Sequence, residues 1–356
     1  MDINFFNHNA FSSEVMTKAI ENYEFKPNLI GSLNLFEEVE TVRTVIGIGR
    51  CDNKLSLIPT NKCGEPLIEV AGGGRQNIWY FKTTPIIKEY IIKAEEIKDW
   101  REFGIEDQFE TVTKFIAKKQ KKLISEIELI WENMQLGAIQ GVVLDADGSV
   151  IYDCYEEWGI TPPEPINFML NTETISVSDM VNQVVTKILE VSGGAFSDYS
   201  RIIGLCGHEF FSKLKDHKIV REIYLAQILN NAKSISKLGA IGFEHFDSFD
   251  FEGVTFINYR NIHNYNMNAK SNIKRSIGIK PSECQFVPIN VPGVFQKAFA
   301  PEESQDFTHT IGKPLYTRLI VVDHVHNAWV RLKMSSYPLF VCVRPEMLFK
   351  AVVRAK

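Results

Sequence analysis

A chain of 356 residues, 45% hydrophobic and 23% charged, has length for about two domains and is too apolar to be disordered. Its net charge of −5 argues against general wrapping of nucleic acid and leaves room only for a local basic patch. The six cysteines are scattered without a Cys-x-x-Cys pair, which fits free thiols in a reduced compartment, and no apolar run nears the roughly 20 residues of a membrane span.

The first residues carry Asp2 and no basic stretch, so they do not read as a signal peptide. Residues 1–40 read as an arm. Phe5, Phe6, Phe11, Ile30, Leu33, Leu35 and Phe36 hold neither helical nor strand period for long, and such a segment is expected to lie against another surface. Ser12 or Ser13 is placed to cap a short helix reaching Ile20. Residues 41–95 read as an extended β loop. Val42, Thr44, Ile46 and Ile48 alternate, Leu55, Leu57 and Pro59 form another run, and residues 78–81 follow Gly72-Gly73-Gly74-Arg75. An isolated hairpin is marginal in water. This one is therefore expected to lie on a second subunit or, alternatively, on its own domain.

Residues 106–135 contain no proline and no glycine. Phe109, Val112, Ile116, Leu123, Ile127, Ile130 and Met134 recur at steps of three, four and seven, the face of a helix about 45 Å long. Gly137 and Gly141 are expected to end it. Two β-branched runs then flank Asp145-Ala146-Asp147-Gly148, which predicts a hairpin with a tight turn at Asp145, Asp147 and Gly148.

Pro162, Pro163 and Pro165 make a stiff connector. Residues 176–191 predict a helix capped by Ser178, with Met180, Val184, Ile188 and Val191 on one face. A buried strand at 201–206, a helix from His208 to Leu214, strands around Glu252-Gly253, a mobile loop at 261–281 and strands over 285–299 complete an α/β unit over 175–315. Residues 318–353 are mostly strand. They are expected to return beside the 142–153 hairpin and the rod, so that the α/β unit is inserted into a discontinuous first domain.

The motifs that suggest chemistry are weak. Asp145-Ala146-Asp147-Gly148 is similar to the nucleophile loop of haloacid-dehalogenase-like phosphatases. That chemistry needs a parallel sheet edge and Mg²⁺, whereas here β alternation resumes at once. His324 and His326 lie two apart on a predicted strand, which suits a metal-binding oligomer with His309 or His208 as a third ligand, yet nothing in the spacing requires it. Cys206-Gly207-His208 reads as a core site rather than a thiol dyad. Gly72-Gly73-Gly74-Arg75 lacks the ending of a phosphate-binding loop. Lys118-Lys119-Gln120-Lys121-Lys122 reads as a solvated helix face, with an acidic neighbour or packaged nucleic acid as the alternative contact. No catalytic residue, cofactor or metal is assigned.

Several stretches, in order, carry a family resemblance: Leu35-Phe36-Glu37-Glu38, Leu55-Ser56-Leu57-Ile58-Pro59-Thr60, Arg101-Glu102-Phe103-Gly104 with Glu106-Asp107-Gln108, Leu144-Asp145-Ala146-Asp147-Gly148, Ser336-Tyr337-Pro338-Leu339 and Arg344-Pro345-Glu346. The chain resembles the lambda-like major capsid proteins of tailed bacteriophages, the phage major capsid protein E group, over about residues 30–350. The resemblance implies an α+β fold of the Hong-Kong-ninety-seven type. Its parts would be an N-terminal arm (1–40), an extended β loop (41–95), a peripheral domain (96–174) with a spine helix (106–135), an axial domain (175–315) and return strands of the peripheral domain (316–356). It implies a virion protein assembled in the host cytoplasm as homo-hexamers and homo-pentamers. It also implies a separate scaffold protein and a portal, allows a decoration protein, and encloses double-stranded DNA without reading its sequence. Leu35, Phe36, Leu57, Ile58, Pro59, Arg75 and Trp79 are the expected inter-subunit contacts. Arg75 is the substitute for an arginine step that the family often has where this chain has Cys63-Gly64.

Overall fold

The computed structural model describes residues 13, 15–17, 29–50, 77–93, 95–96, 108–145, 147–171, 176–222, 247–259, 264–266, 274–276, 278–307, 309–321 and 329–353. Leu57, Ile58, Pro59, Arg75, His324 and His326, together with the side chain of Phe109, lie outside the described residues.

The arm ends in a single helical turn, α1 (Leu29–Ser32), closed by a hydrogen bond from Ser32 Oγ to the Leu29 carbonyl at 2.7 Å. Strand β1 (Glu37–Glu40) follows. The alternation that begins at Val42 becomes a strand only at Val45, because the Arg43 amide donates to Thr41 Oγ1 at 3.1 Å and forms a local turn. Strands β2 (Val45–Arg50) and β3 (Asn77–Lys82) pair antiparallel, with Val45 opposite Lys82. Strand β4 (Ile86–Lys93) is not part of that hairpin.

Helix α2 (Gln108–Gln140) is 33 residues, about 50 Å. It continues past the expected end at 135 and through Gly137. That glycine is a contact site: a Cβ there would come within 2.9 Å of Val143 Cα and the Val142 carbonyl, so its absence lets the next strand fold back onto the helix. The helix stops at Gly141, where φ is +86° and a side chain would run into Tyr155. Strands β5 (Val142–Leu144) and β6 (Val150–Asp153) form the expected hairpin, with a bulge at Val143/Leu144. Asp153 then caps the short helix α3 (Cys154–Trp158) by accepting from the Tyr155 amide at 2.8 Å.

After β7 (Ile166–Asn167), helix α4 (Val177–Ser192) is capped by Ser176 rather than by Ser178, whose hydroxyl instead donates to Glu252. Strand β8 (Arg201–Cys206) and helix α5 (His208–Asp216) lie where the sequence predicts them. Strands β9 (Ser248–Phe251) and β10 (Val254–Asn258) follow. The predicted loop at 261–281 contains a short antiparallel hairpin, β11 (Asn264–Asn266) with β12 (Lys274–Ser276). Then come β13 (Glu283–Ile289), β14 (Phe295–Phe299), β15 (Tyr316–Val321), β16 (Trp329–Ser336), β17 (Pro338–Cys342) and β18 (Phe349–Val352).

Among the described residues, the largest sheet has the order β7-β18-β13-β8-β10-β9. Two three-stranded sheets, β15-β16-β4 and β1-β14-β17, lie beside the long helix, which touches β4, β16 and β17. The pairing crosses the expected limit at residue 315. β18, a return strand, belongs to the large sheet beside β13, and β14 leaves the 175–315 unit to pair with β1 and β17. The return of β16 and β17 to the helix is as expected. Trp131 Nε1 donates to Ser336 Oγ at 3.2 Å, and the Tyr152 hydroxyl donates to the Phe340 carbonyl.

Candidate assembly surfaces

From Val112 onward the long helix packs one face against its own chain. Val112, Ile116, Leu123, Ile127 and Met134 are buried as predicted, and Ile130 is half-buried. Phe115, Ile124, Trp131, Leu136 and Ile139 are buried as well. The first half leaves Lys114, Lys118, Lys121 and Lys122 exposed, whereas the second half is surrounded. Polar bonds fix its register. Tyr259 Oη donates to Glu132 Oε1 at 2.7 Å, and Asn133 Nδ2 donates to the Leu144 carbonyl at 3.1 Å.

Near the start of the helix, Lys119 Nζ donates to the Tyr90 hydroxyl and lies 3.4 Å from Glu96 Oε2, while Tyr90 Oη donates to Glu96 at 2.7 Å. The Tyr90 hydrogen bond, aided by the Lys119 charge, holds the Glu96 carboxyl below its ordinary value. Burial pulls Lys119 down, but Tyr90 and Glu96 together outweigh it and leave the ammonium raised. A second cluster surrounds the buried Glu302. It accepts from Lys333 Nζ at 3.0 Å and Ser335 Oγ at 2.9 Å, with Arg318 at 3.8 Å; Arg318 also pairs with Asp306 at 2.6 Å. The sequence gives no local sign of either cluster, because each joins residues from separate elements.

The β2–β3 hairpin has two unlike faces. Ile46, Ile48 and Phe81 are buried, and the Phe81 ring is 5.5 Å from Trp158. Trp79, half-buried, stands 4.6 Å from Trp158. This face therefore packs on its own chain. The other face shows Val45, Ile78 and Tyr80 to solvent, Tyr80 at 72% exposure. Leu35 is half-buried against the core. Phe36 corrects an expectation: it is a core residue, 6% exposed, with ring centroids 5.3 Å from Phe295 and 5.5 Å from Phe340 of its own chain.

Among the described residues the candidate catalytic motifs form no reactive centre. Asp147 Oδ1 accepts from the Ser149 amide and hydroxyl at 2.7 and 2.6 Å, and Gly148, at φ +89°, donates to the Asp145 carbonyl at 2.9 Å. These bonds shape a hairpin turn between antiparallel strands, not the end of a parallel strand, so the phosphatase reading ends here. His208 is exposed while Cys206 points into the core, so the two do not form a dyad. Burial pushes the Cys154 thiol up to about 12, which leaves it inert. The seam bordered by Val39, Ile46, Ile48, Gln296, Lys297, Leu339 and Val341 leaves no room for a ligand. Among the described residues no cluster of His, Cys, Asp or Glu is arranged to hold a metal, and no helix is long and apolar enough to cross a membrane.

Among the described residues the subunit combines one long helix with flanking sheets and shows no reactive centre. The chain belongs to the phage major capsid protein E family, whose profile it matches over residues 12–353. It is 22% identical over 343 residues to the major capsid protein of Salmonella phage Felix O1 (isolate Felix O1-VT1), covering 92% of each chain. It is 28% identical over 173 residues to the major capsid protein of Pseudomonas phage KPP10, about half of each chain. Its fold matches the crystal structure of a candidate capsid protein from an Escherichia coli CFT073 prophage, with TM-score 0.59 and 12% identity over 96% of this chain and 99% of that one. The protein is thus a major capsid subunit of a tailed phage, a structural component of the virion's icosahedral shell and not an enzyme.

Proposed function

We propose that the subunit assembles as hexamers and pentamers through an arm, an extended loop, a peripheral body and an axial body. In this reading α2 is the spine helix of the peripheral body, together with the β15-β16-β4 sheet. The axial body is the six-stranded sheet with α4 and α5, meeting its copies at the capsomer centres. The division 1–40, 41–95, 96–174, 175–315 and 316–356 serves as the working plan, with β14 and β18 exchanged across its last limit. The loop tip, with Leu57, Ile58, Pro59 and Arg75, is assigned to neighbouring subunits. A separate scaffold sets the shell's size, a portal occupies one vertex, and the closed wall confines double-stranded DNA.

The observation that carries this reading is the outward face of the β2–β3 hairpin. Val45, Ile78 and Tyr80 are 45%, 54% and 72% exposed on a ribbon of two strands. An apolar face of that kind on a marginal element gains cover only from another surface. Tyr80→Asp combined with Ile78→Asp is expected to leave circular dichroism and the melting temperature of the free chain nearly unchanged and to abolish shells in negative-stain images. Normal shells from the double variant would overturn the assignment. Expressed without its scaffold, the wild-type chain is expected to give irregular or missized particles.

A further inference from the structure

We propose that Cys206 and Cys284 form a latent dithiol, a covalent modification site that a peroxide-class oxidant converts into an intrachain disulfide tying β8 to β13.

The two residues face each other in the antiparallel register of these strands. The adjoining pair, Gly207 and Glu283, is joined by a backbone hydrogen bond of 2.8 Å, which makes Cys206–Cys284 a non-hydrogen-bonded pair. In such pairs the Cα atoms stand about 4.5 Å apart and the side chains are at their closest. That separation lies within the ~4.4–6.8 Å that a disulfide spans, so the backbone need not move. The sulfurs are already in contact, with Cys206 Sγ donating to Cys284 Sγ at 3.3 Å. Room for them comes from Gly204, on the same face of β8, where a Cβ would press on Cys284 Sγ at 3.1 Å.

Both thiols are free and fully buried, and burial raises Cys284 well above the ordinary thiol range. The pair therefore stays reduced while the chain folds in a reducing cytoplasm. Cys206 is the last residue of β8, held by the Gly207–Glu283 and Tyr259–Cys206 backbone bonds, so an oxidant reaches the pair only in a local opening at this end of β8 and β13, which makes the reaction slow. Hydrogen peroxide takes one thiolate to a sulfenic acid, releasing hydroxide. The second thiol displaces that oxygen as water, forming the S–S bond. Two S–H bonds are lost, the two protons and two electrons go to the peroxide, and two waters result. The product closes a long loop, since the partners are 78 residues apart.

The test is a non-reducing peptide map of the purified chain and of assembled shells, each fully reduced, desalted, treated with hydrogen peroxide and alkylated under denaturing conditions. The expected result is loss of two of the six thiols, a linked Cys206–Cys284 peptide and full reversal by dithiothreitol. Oxidation is also expected to raise the melting temperature by roughly 5 °C, an increase absent from Cys206→Ala. The map needs no variant, so a poorly folding substitution does not decide the matter. Its use of unassembled chain keeps it independent of the assembly reading. An unchanged thiol count, sulfinic acid at either residue, or linkage only through the other four cysteines would overturn the proposal.

Discussion

Phe36 sits where the arm enters the body, its ring against Phe295 and Phe340, and Phe299 stands 6.0 Å from the same Phe340. Truncating such a ring leaves a cavity that rigid strands cannot fill. Phe36→Ala is therefore expected to cost about 3–5 kcal/mol, seen as a lower urea midpoint of the free chain. An unchanged midpoint would put the ring back on the surface. The sequence showed an apolar residue in an unperiodic stretch and could not show its partners, which lie more than 250 positions away. The turn aspartates behave differently. Asp145→Asn, which would stop a phosphatase, is expected to change stability by less than about 0.5 kcal/mol, since it keeps the side chain's size and the Asp145 backbone hydrogen bonds that close the turn. Asp147→Ala removes two hydrogen bonds and is expected to cost about 1 kcal/mol. Equilibrium unfolding of the two variants side by side separates these outcomes.

At the scale of elements, the long helix and the hairpin after it were legible because their periods are long and their turn residues specific. Val112, Ile116, Leu123, Ile127 and Met134 follow from spacing alone. Trp131 and Ile139 do not, because the second half of the helix is enclosed on several sides and a single stripe no longer describes it. Nor did spacing show that β4 pairs with β16, from Ile86↔Ser336 to Lys93↔Trp329. That pairing brings the foot of β4 to the helix, where Tyr90, Glu96 and Lys119 form a latch. Glu96 is depressed from its ordinary 4.5, so its contribution is present above that pH and is lost as pH falls through the lower folded value. Lys119 is raised above 10.5, so its contribution is present below that pH and is lost as pH rises further. The groups are partly exposed, which limits the latch to about 0.5–1 kcal/mol. Glu96→Gln is expected to lower the melting temperature near about pH 7 and to lose that deficit progressively as the pH falls through the depressed folded value of Glu96. A deficit that persists in acid would assign the effect to packing instead.

For the whole molecule, the uneven distribution of cover predicts where assembly acts. The six-stranded sheet is finished within one chain: Phe256, Phe286, Val287 and Leu205 are fully buried, and helices α4 and α5 bury Val184, Ile188, Phe210 and Leu214. The β2–β3 ribbon is covered on one face only, and its other face shows Val45, Ile78 and Tyr80 to solvent. Opening free energies follow this difference, being low where few apolar contacts cover the backbone and highest in the interior of the sheet. Contacts made only in the shell add to the first class and leave the second untouched. Hydrogen exchange on free subunits and on shells is therefore expected to show amides of 45–50 and 77–82 slowed at least about tenfold by assembly, which is 1.4 kcal/mol of added protection. Amides of 202–206 and 284–288 should exchange at similar rates in both states. Equal protection of the ribbon in the two states would mean that its exposed face meets no neighbour. A gain spread evenly over both regions would mean that assembly completes the folding of the whole subunit rather than covering one face of it.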